Sequence, residues 1–397
     1  MFGKLIGLLV LLGFVGGLVL FALVRHERTT SLTLPTPTGR FAVGRTTYRW
    51  MNSADRFSRV QATGRELMVW VWYPASPARS DAPAPYVPSD WRRALASKGL
   101  IGFLTHDLSL VHCHSFLNAA VARPENPYPV VIVRAGGGAP TTDFTTLAED
   151  LASHGYVVVG FDAPYRTYAF VLRNGKVVTR PAGQDPDSLG SAAADRIINK
   201  LLPLWIADTE FIVDQLQRLN ADDPSGRFTG RLDMQRLGMF GHSFGGAQAL
   251  QFCHDDPRCK AGIDIDGASY GSVVQDGLKK PFMIMLSDHR REMADPASQQ
   301  IAANLQSIYD RLPNGKLFIS IRGANHFSFS DQILLKSQYA IWVLQRIGFG
   351  DLPPRRGLAI TADYVHTFFD VYLKHSLPAS ALAQLSAKYP EVQTKKP

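Results

Sequence analysis

Gly241-His242-Ser243-Phe244-Gly245 restricts the fold of this chain more than any other segment. It reads G-x-S-x-G. The apolar run Arg236-Leu237-Gly238-Met239-Phe240 precedes it, and the good helix former Gly246-Ala247-Gln248-Ala249-Leu250-Gln251-Phe252 follows. Strand, sharp turn and helix, in that order, form the setting in which this pentapeptide lifts a serine hydroxyl clear of a sheet. The glycines let neighbouring backbone pass without a Cβ, and the helix N-terminus favours negative charge at the turn. Ser243 is the candidate nucleophile.

A serine turn of this kind needs a parallel sheet around it, and the flanking sequence supplies one. Apolar runs at Pro129–Val133, Tyr156–Phe161, Leu237–Phe240, Ala261–Ile265, Phe282–Leu286 and Leu317–Ile321 read as strands. Helical patterns at Thr142–Ser153, Ala192–Leu219, Asp295–Leu312 and Gln332–Ile347 alternate with them. Such alternation predicts an α/β fold with a mostly parallel central sheet and helices on both faces. Phe41–Trp50 and Glu66–Tyr73 read as an antiparallel pair ahead of it. Residues 85–120 lie between that pair and the core, where an insertion can act as a lid.

The amino end has a different character. After Lys4, residues 5–24 contain no charged or strongly polar side chain, and Arg25, His26 and Arg28 end the run. Twenty such residues match the hydrocarbon thickness of a bilayer, and no small-x-small cleavage site follows. Residues 1–28 therefore read as an N-terminal transmembrane helix, a membrane anchor or uncleaved signal. Residues 29–40, with Pro35 and Pro37, read as a linker, and 41–397 as the catalytic domain. Lys4 set against Arg25, His26 and Arg28 favours a cytoplasmic body. Cys253 and Cys259, six apart across a helix-to-strand turn, could close a disulfide, which needs an oxidising compartment. On that argument the body is expected outside the cytoplasm, in a periplasm.

Of the 397 residues, 42 are Lys or Arg and 34 are Asp or Glu, a net charge of +8. The basic residues are scattered, so nothing points to nucleic acid. Cys/His spacing matches no metal motif, and His112-Cys113-His114 is too compact for a zinc site by itself. No cofactor or metal is expected.

A serine hydroxyl needs a base, and the base needs an orienting acid, in the order Ser, acid, His for this type of turn. Between Ser243 and residue 330 lie His254, His289 and His326. His326, in the short loop after Leu317–Ile321, stands where such a fold delivers its base. Asp266 and Asp288 each close a strand downstream of Ser243, and the residues alone divide evenly between them. Asp264 alternates with Asp266 and shares its face only if the strand runs through both. The oxyanion donors are the N–H of Phe244 and one from Arg134-Ala135-Gly136-Gly137-Gly138-Ala139, at Gly137 or Gly138. His242 reads as local packing.

Gly241-His242-Ser243-Phe244-Gly245-Gly246 with Gly262-Ile263-Asp264-Ile265-Asp266-Gly267 resembles the plasma-type platelet-activating-factor acetylhydrolase family and its bacterial carboxylesterase relatives. So do Leu151-Ala152-Ser153-His154-Gly155-Tyr156 and Ile321-Arg322-Gly323-Ala324-Asn325-His326. The resemblance implies an α/β-hydrolase that cleaves short-acyl or phospholipid-type esters through Ser243, His326 and Asp266, with oxyanion donors at Phe244 and Gly137. The partners implied are an ester substrate and, through the N-terminal helix, a membrane. This chain carries Ala135 where the family commonly has histidine. An amidase on the same fold, or an inactive lipid-binding protein, is the alternative.

Overall fold

The computed structural model describes residues 2–52, 64–96, 99–123, 125–181, 191–288, 296–313, 315–346 and 350–395. His289 and Asp295 lie outside them. The first strands are β1 (Leu32–Thr33), β2 (Ala42–Asn52), β3 (Arg65–Ala75), β4 (Pro83–Pro85) and β5 (Val111–Leu117). The core continues with β6 (Tyr128–Arg134), β7 (Val157–Asp162), the hairpin β8 (Ala169–Val171) and β9 (Val177–Thr179), and β10 (Leu232–His242). It ends with β11 (Cys259–Ile265), β12 (Phe282–Leu286), β13 (Lys316–Ile321) and β14 (Val392–Thr394). The sheet order is β1-β5-β2-β3-β7-β6-β10-β11-β12-β13-β14. From β7 to β13 neighbours run parallel, while β2–β3, β3–β7 and β13–β14 are antiparallel.

Period-two alternation splits each core strand between two hydrophobic layers. Val131 and Val133 face one layer with Phe144, Leu151, Tyr364 and Phe368. Val130 and Ile132 face the other with Ile206, Leu216, Leu250 and Ile308. The first layer is covered by α4 (Thr145–Ser153) and α11 (Pro354–Tyr372). The second is covered by α5 (Ser191–Ala221), α6 (Phe244–Asp255) and α8 (Pro296–Arg311).

The expected helix over Gln332–Ile347 is two helices, α9 (Gln332–Leu335) and α10 (Gln338–Arg346). Tertiary pairing breaks it. Leu335 O accepts the His106 N–H at 2.8 Å, and the Ser337 N–H donates to Leu104 O at 2.8 Å.

The expected transmembrane anchor requires correction. No helix among the described residues is long and apolar enough to cross a membrane. The fold is an α/β-hydrolase fold without that element, and the membrane partner and the membrane-anchored placement built on it fall with it. The apolar run does form a helix, α1 (Phe2–Arg28), but its last turns dock on protein. Val24 is buried, Phe21 stacks on Phe103 with centroids 4.8 Å apart, and Arg28 donates to Gly102 O. Glu27 accepts from the Ser337 hydroxyl at 2.5 Å and from the Gln338 N–H at 2.8 Å. Residues 29–40 run along the body: Leu32 and Thr33 pair with Val111 and His112, and Leu34 is buried.

Candidate active site

Ser243 sits between β10 and α6 with φ 57° and ψ −125°. Positive φ is costly for a non-glycine residue, on the order of 1–3 kcal/mol, and persists only where the surroundings impose it. They do so here: the Ser243 N–H donates to Ile265 O at 2.8 Å, tying the turn to the next strand. A Cβ at Gly245 would stand 2.1 Å from Arg134 O, so the elbow closes only around glycine.

β11 ends at Ile265, and Asp266 turns out of it with φ 51°. This break in the strand separates Asp266 from Asp264. The buried Asp266 carboxylate accepts from His326 Nδ1 at 2.7 Å, and from the Ser287 N–H and hydroxyl at 2.7 and 3.0 Å. These bonds leave Nε2 as the His326 atom free to take a proton, in the tautomer that Asp266 selects. Asp264 is buried beneath the elbow, and burial holds its carboxyl well above the usual carboxylate range. Asp288 accepts the Gly323 N–H at 3.0 Å and donates its own N–H to Ala324 O at 3.0 Å, so it braces the His326 loop. His254 pairs with Asp255 at the end of α6, away from this cluster.

Two features had escaped the sequence reading. Asn325 caps the single helical turn that carries His326, accepting the Phe327 N–H at 2.9 Å while Ser328 Oγ accepts the Asn325 N–H at 3.0 Å. The N-x-x-S spacing was the signal for this box. Arg166, buried, donates to Ala135 O at 2.5 Å and lies over the Trp205 ring at 4.9 Å. It pins the start of the oxyanion loop, and no motif marks it.

In that loop Gly137 has φ 41°, and Gly136 runs against the nucleophile: a Cβ there would lie 2.5 Å from Ser243 Cβ. Phe244 opens α6, where N–H groups lack intrahelical acceptors. Its ring packs on Trp205 and Tyr270, with centroids 4.4 and 6.1 Å away. His242, Asp266 and His326 hold possible ligand atoms within 4.8 Å of one another, so a metal ion could also be held here. His326 Nδ1 bonds Asp266, and His242 Nε2 bonds the His326 carbonyl at 2.8 Å. Cys253 and Cys259 form a disulfide behind α6. Cys113 is free, and burial pushes its thiol up to about 12.

Residues 211–376, which include Ser243, Asp266 and His326, match the family model of platelet-activating factor acetylhydrolase, isoform II. Over this stretch the chain is similar to the platelet-activating factor acetylhydrolases. A probable 1-alkyl-2-acetylglycerophosphocholine esterase of Arthroderma benhamiae is 27% identical over 66% of this chain and 65% of its own length. The platelet-activating factor acetylhydrolase of Cavia porcellus is 23% identical over 51% of this chain and 48% of its own. The chain thus spans between about half and two thirds of these acetylhydrolase relatives. A cutinase of Thermobifida fusca is 23% identical over 74% of this chain and 84% of its own length. Among solved structures, a ferulic acid esterase from Streptomyces cinnamoneus superposes with TM-score 0.73 at 27% identity, over 92% of this chain and all of that one.

Proposed function

We propose that this chain is a serine-dependent carboxylic ester hydrolase whose catalytic body is residues 41–397, acting on short-acyl or phospholipid-type esters. The observation that carries this reading is the Asp266–His326 pair at 2.7 Å, with a serine at φ 57° tied by its N–H to the carbonyl just before Asp266. The relatives' printed names support it, since all are esterases, acetylhydrolases or cutinases. Ser243 Oγ attacks the ester carbonyl while His326 Nε2 takes its proton. The N–H groups of Phe244 and Gly137 hold the oxyanion. As the intermediate collapses, His326 returns the proton to the departing alkoxide and an acyl-Ser243 ester remains. Water, deprotonated by the same nitrogen, then releases the acid and restores Ser243. Asp266 fixes the tautomer and stabilises the imidazolium.

The test is hydrolysis of p-nitrophenyl esters from acetyl to palmitoyl. Ser243→Ala and Asp266→Asn should each lower kcat by on the order of 10⁴-fold. Asp288→Asn should stay within several-fold of the parent, and acetyl or butyryl esters should turn over fastest. Full activity in Ser243→Ala would sink the mechanism. A palmitoyl optimum would sink the short-acyl assignment alone.

A further inference from the structure

A second cluster of metal-binding side chains lies at the opposite edge of the sheet. Asp150 and His154 sit at the C-terminal end of α4, just before β7 begins, whereas Ser243 follows the end of the parallel strand β10. His366 reaches the cluster from α11. Asp150 Oδ2 is 2.9 Å from His366 Nδ1 and 3.5 Å from His154 Nδ1. The two imidazole centroids are 4.0 Å apart, and one ligand atom from each of the three residues falls within 4.8 Å of the others.

The Asp150–His366 separation equals an edge of a coordination polyhedron, and the Asp150–His154 separation lies just beyond one, with His154 Nδ1 now 3.1 Å from the Asp150 carbonyl. Bonds of about 2.0–2.1 Å to nitrogen and oxygen place neighbouring ligand atoms about 2.9–3.4 Å apart. The carboxylate is already oriented for the task. Its other oxygen, Oδ1, accepts the Thr38 N–H at 2.9 Å and the Thr38 hydroxyl at 2.7 Å, as outer-shell partners of a ligating carboxylate do. The His154 and His366 side chains are 21% and 14% exposed, so an ion can enter and solvent can complete its shell. The Lys374 ammonium is paired with Asp370 at 3.2 Å and turned to the His154 carbonyl.

We propose that Asp150, His154 and His366 form a binding site for a divalent transition-metal ion of the zinc class, separate from the Ser243 centre. Each histidine binds the ion through the Nδ1 lone pair in the tautomer protonated at Nε2, and Asp150 through Oδ2, joining α4, α11 and the segment around Thr38. Protons compete with the ion for these ligand atoms, so binding weakens as pH falls.

Chelator-treated full-length chain is titrated with ZnCl2 by calorimetry and with CoCl2 by visible absorption. One saturable equivalent is expected, retained in His326→Gln, which removes the other histidine cluster. His154→Gln and His366→Gln should each bind at least about tenfold more weakly. Zinc should raise the melting temperature of the parent by a few degrees and leave those two variants unmoved. Zinc-edge X-ray absorption of the loaded parent gives a reading independent of how the variants fold: two imidazoles and oxygen are expected. Absence of saturable binding, undiminished affinity in either variant, loss of binding in His326→Gln, or a shell without imidazole overturns the proposal.

Discussion

His242 shares a pentapeptide with Ser243 but serves the other side of the site. Its ring lies 4.4 Å from the His326 ring, and its Nε2–H donates to the His326 carbonyl at 2.8 Å. Phe144 and Phe329 close around it at 5.6 and 6.2 Å. Burial lowers its pKa to about 3, so it stays neutral beside a partner that becomes positive in the proposed mechanism. A neutral, packed ring positions that partner without repelling it. His242→Phe keeps the packing and removes the donor. Loss of placement at a reacting group costs on the order of ten- to a hundredfold in rate. Steady-state kinetics on p-nitrophenyl acetate should therefore show kcat lowered by that amount with KM little changed, and His242→Gln, which keeps a donor, should recover part of the loss. A kcat equal to the parent's in His242→Phe would reduce His242 to filler. The sequence reading placed His242 as packing because a neighbour of the nucleophile must point elsewhere; what it packs on becomes visible only when the loop carrying His326 folds across β10.

At the scale of elements, what could be read from the sequence was local. The elbow, its strand and its helix follow from glycine spacing and apolar runs within about twenty residues. β2 and β3 followed from alternation, and they pair from Ala42↔Ala75 to Asn52↔Arg65. What could not be read depends on distant partners. β5 joins the sheet although it contains His112-Cys113-His114, a run with no strand pattern, because β1, β2 and β4 pair with its two ends. Asp266 and Asp288 looked equivalent because both close strands. Only the break after Ile265 turns one towards His326 while the other bonds the Gly323 N–H. The disulfide stood between these extremes, since its spacing allowed a bridge without requiring one. Closing so short a loop lowers the entropy of the unfolded chain by an amount worth about 2 kcal/mol. Cys253→Ser with Cys259→Ser should lower stability by roughly that much in urea unfolding, with esterase activity in the folded protein unchanged. A double variant as stable as the parent would show that the bridge adds nothing beyond the packing of α6 on β11.

Across the whole molecule, the oxyanion loop and the His326 loop share one support, a buried acidic zone. Asp143 follows the oxyanion loop, and Asp331 follows the turn that carries His326. The Asp331 N–H donates to Asp143 O at 2.7 Å, and Gln332 Nε2 donates to the Asp143 carboxylate at 2.7 Å. Burial raises Asp143 from 3.8 to about 7, and burial raises Asp162, Glu149 and Asp331 in the same direction. The sign of the consequence is fixed. Below about pH 4 the Asp143 side chain is protonated both folded and unfolded. As pH climbs from there towards 7, the unfolded chain gives up this proton and the folded chain keeps it. The folded state then binds more protons, so stability falls with rising pH, by up to about 1.4 kcal/mol per unit for one group. Asp150 works in the opposite sense, because the His154 and His366 side chains against its carboxylate hold its pKa below the ordinary value, and that contribution is lost only on acidification. Asp143→Asn removes one falling contribution and leaves those of Asp162, Glu149 and Asp331 in place. Urea unfolding at a series of pH values should show the variant gaining on the parent between about pH 5 and 7 and running parallel to it above. A constant gap across that range would mean that the Asp143 carboxyl ionises alike in both states, and that the floor beneath the two catalytic loops carries its charge elsewhere.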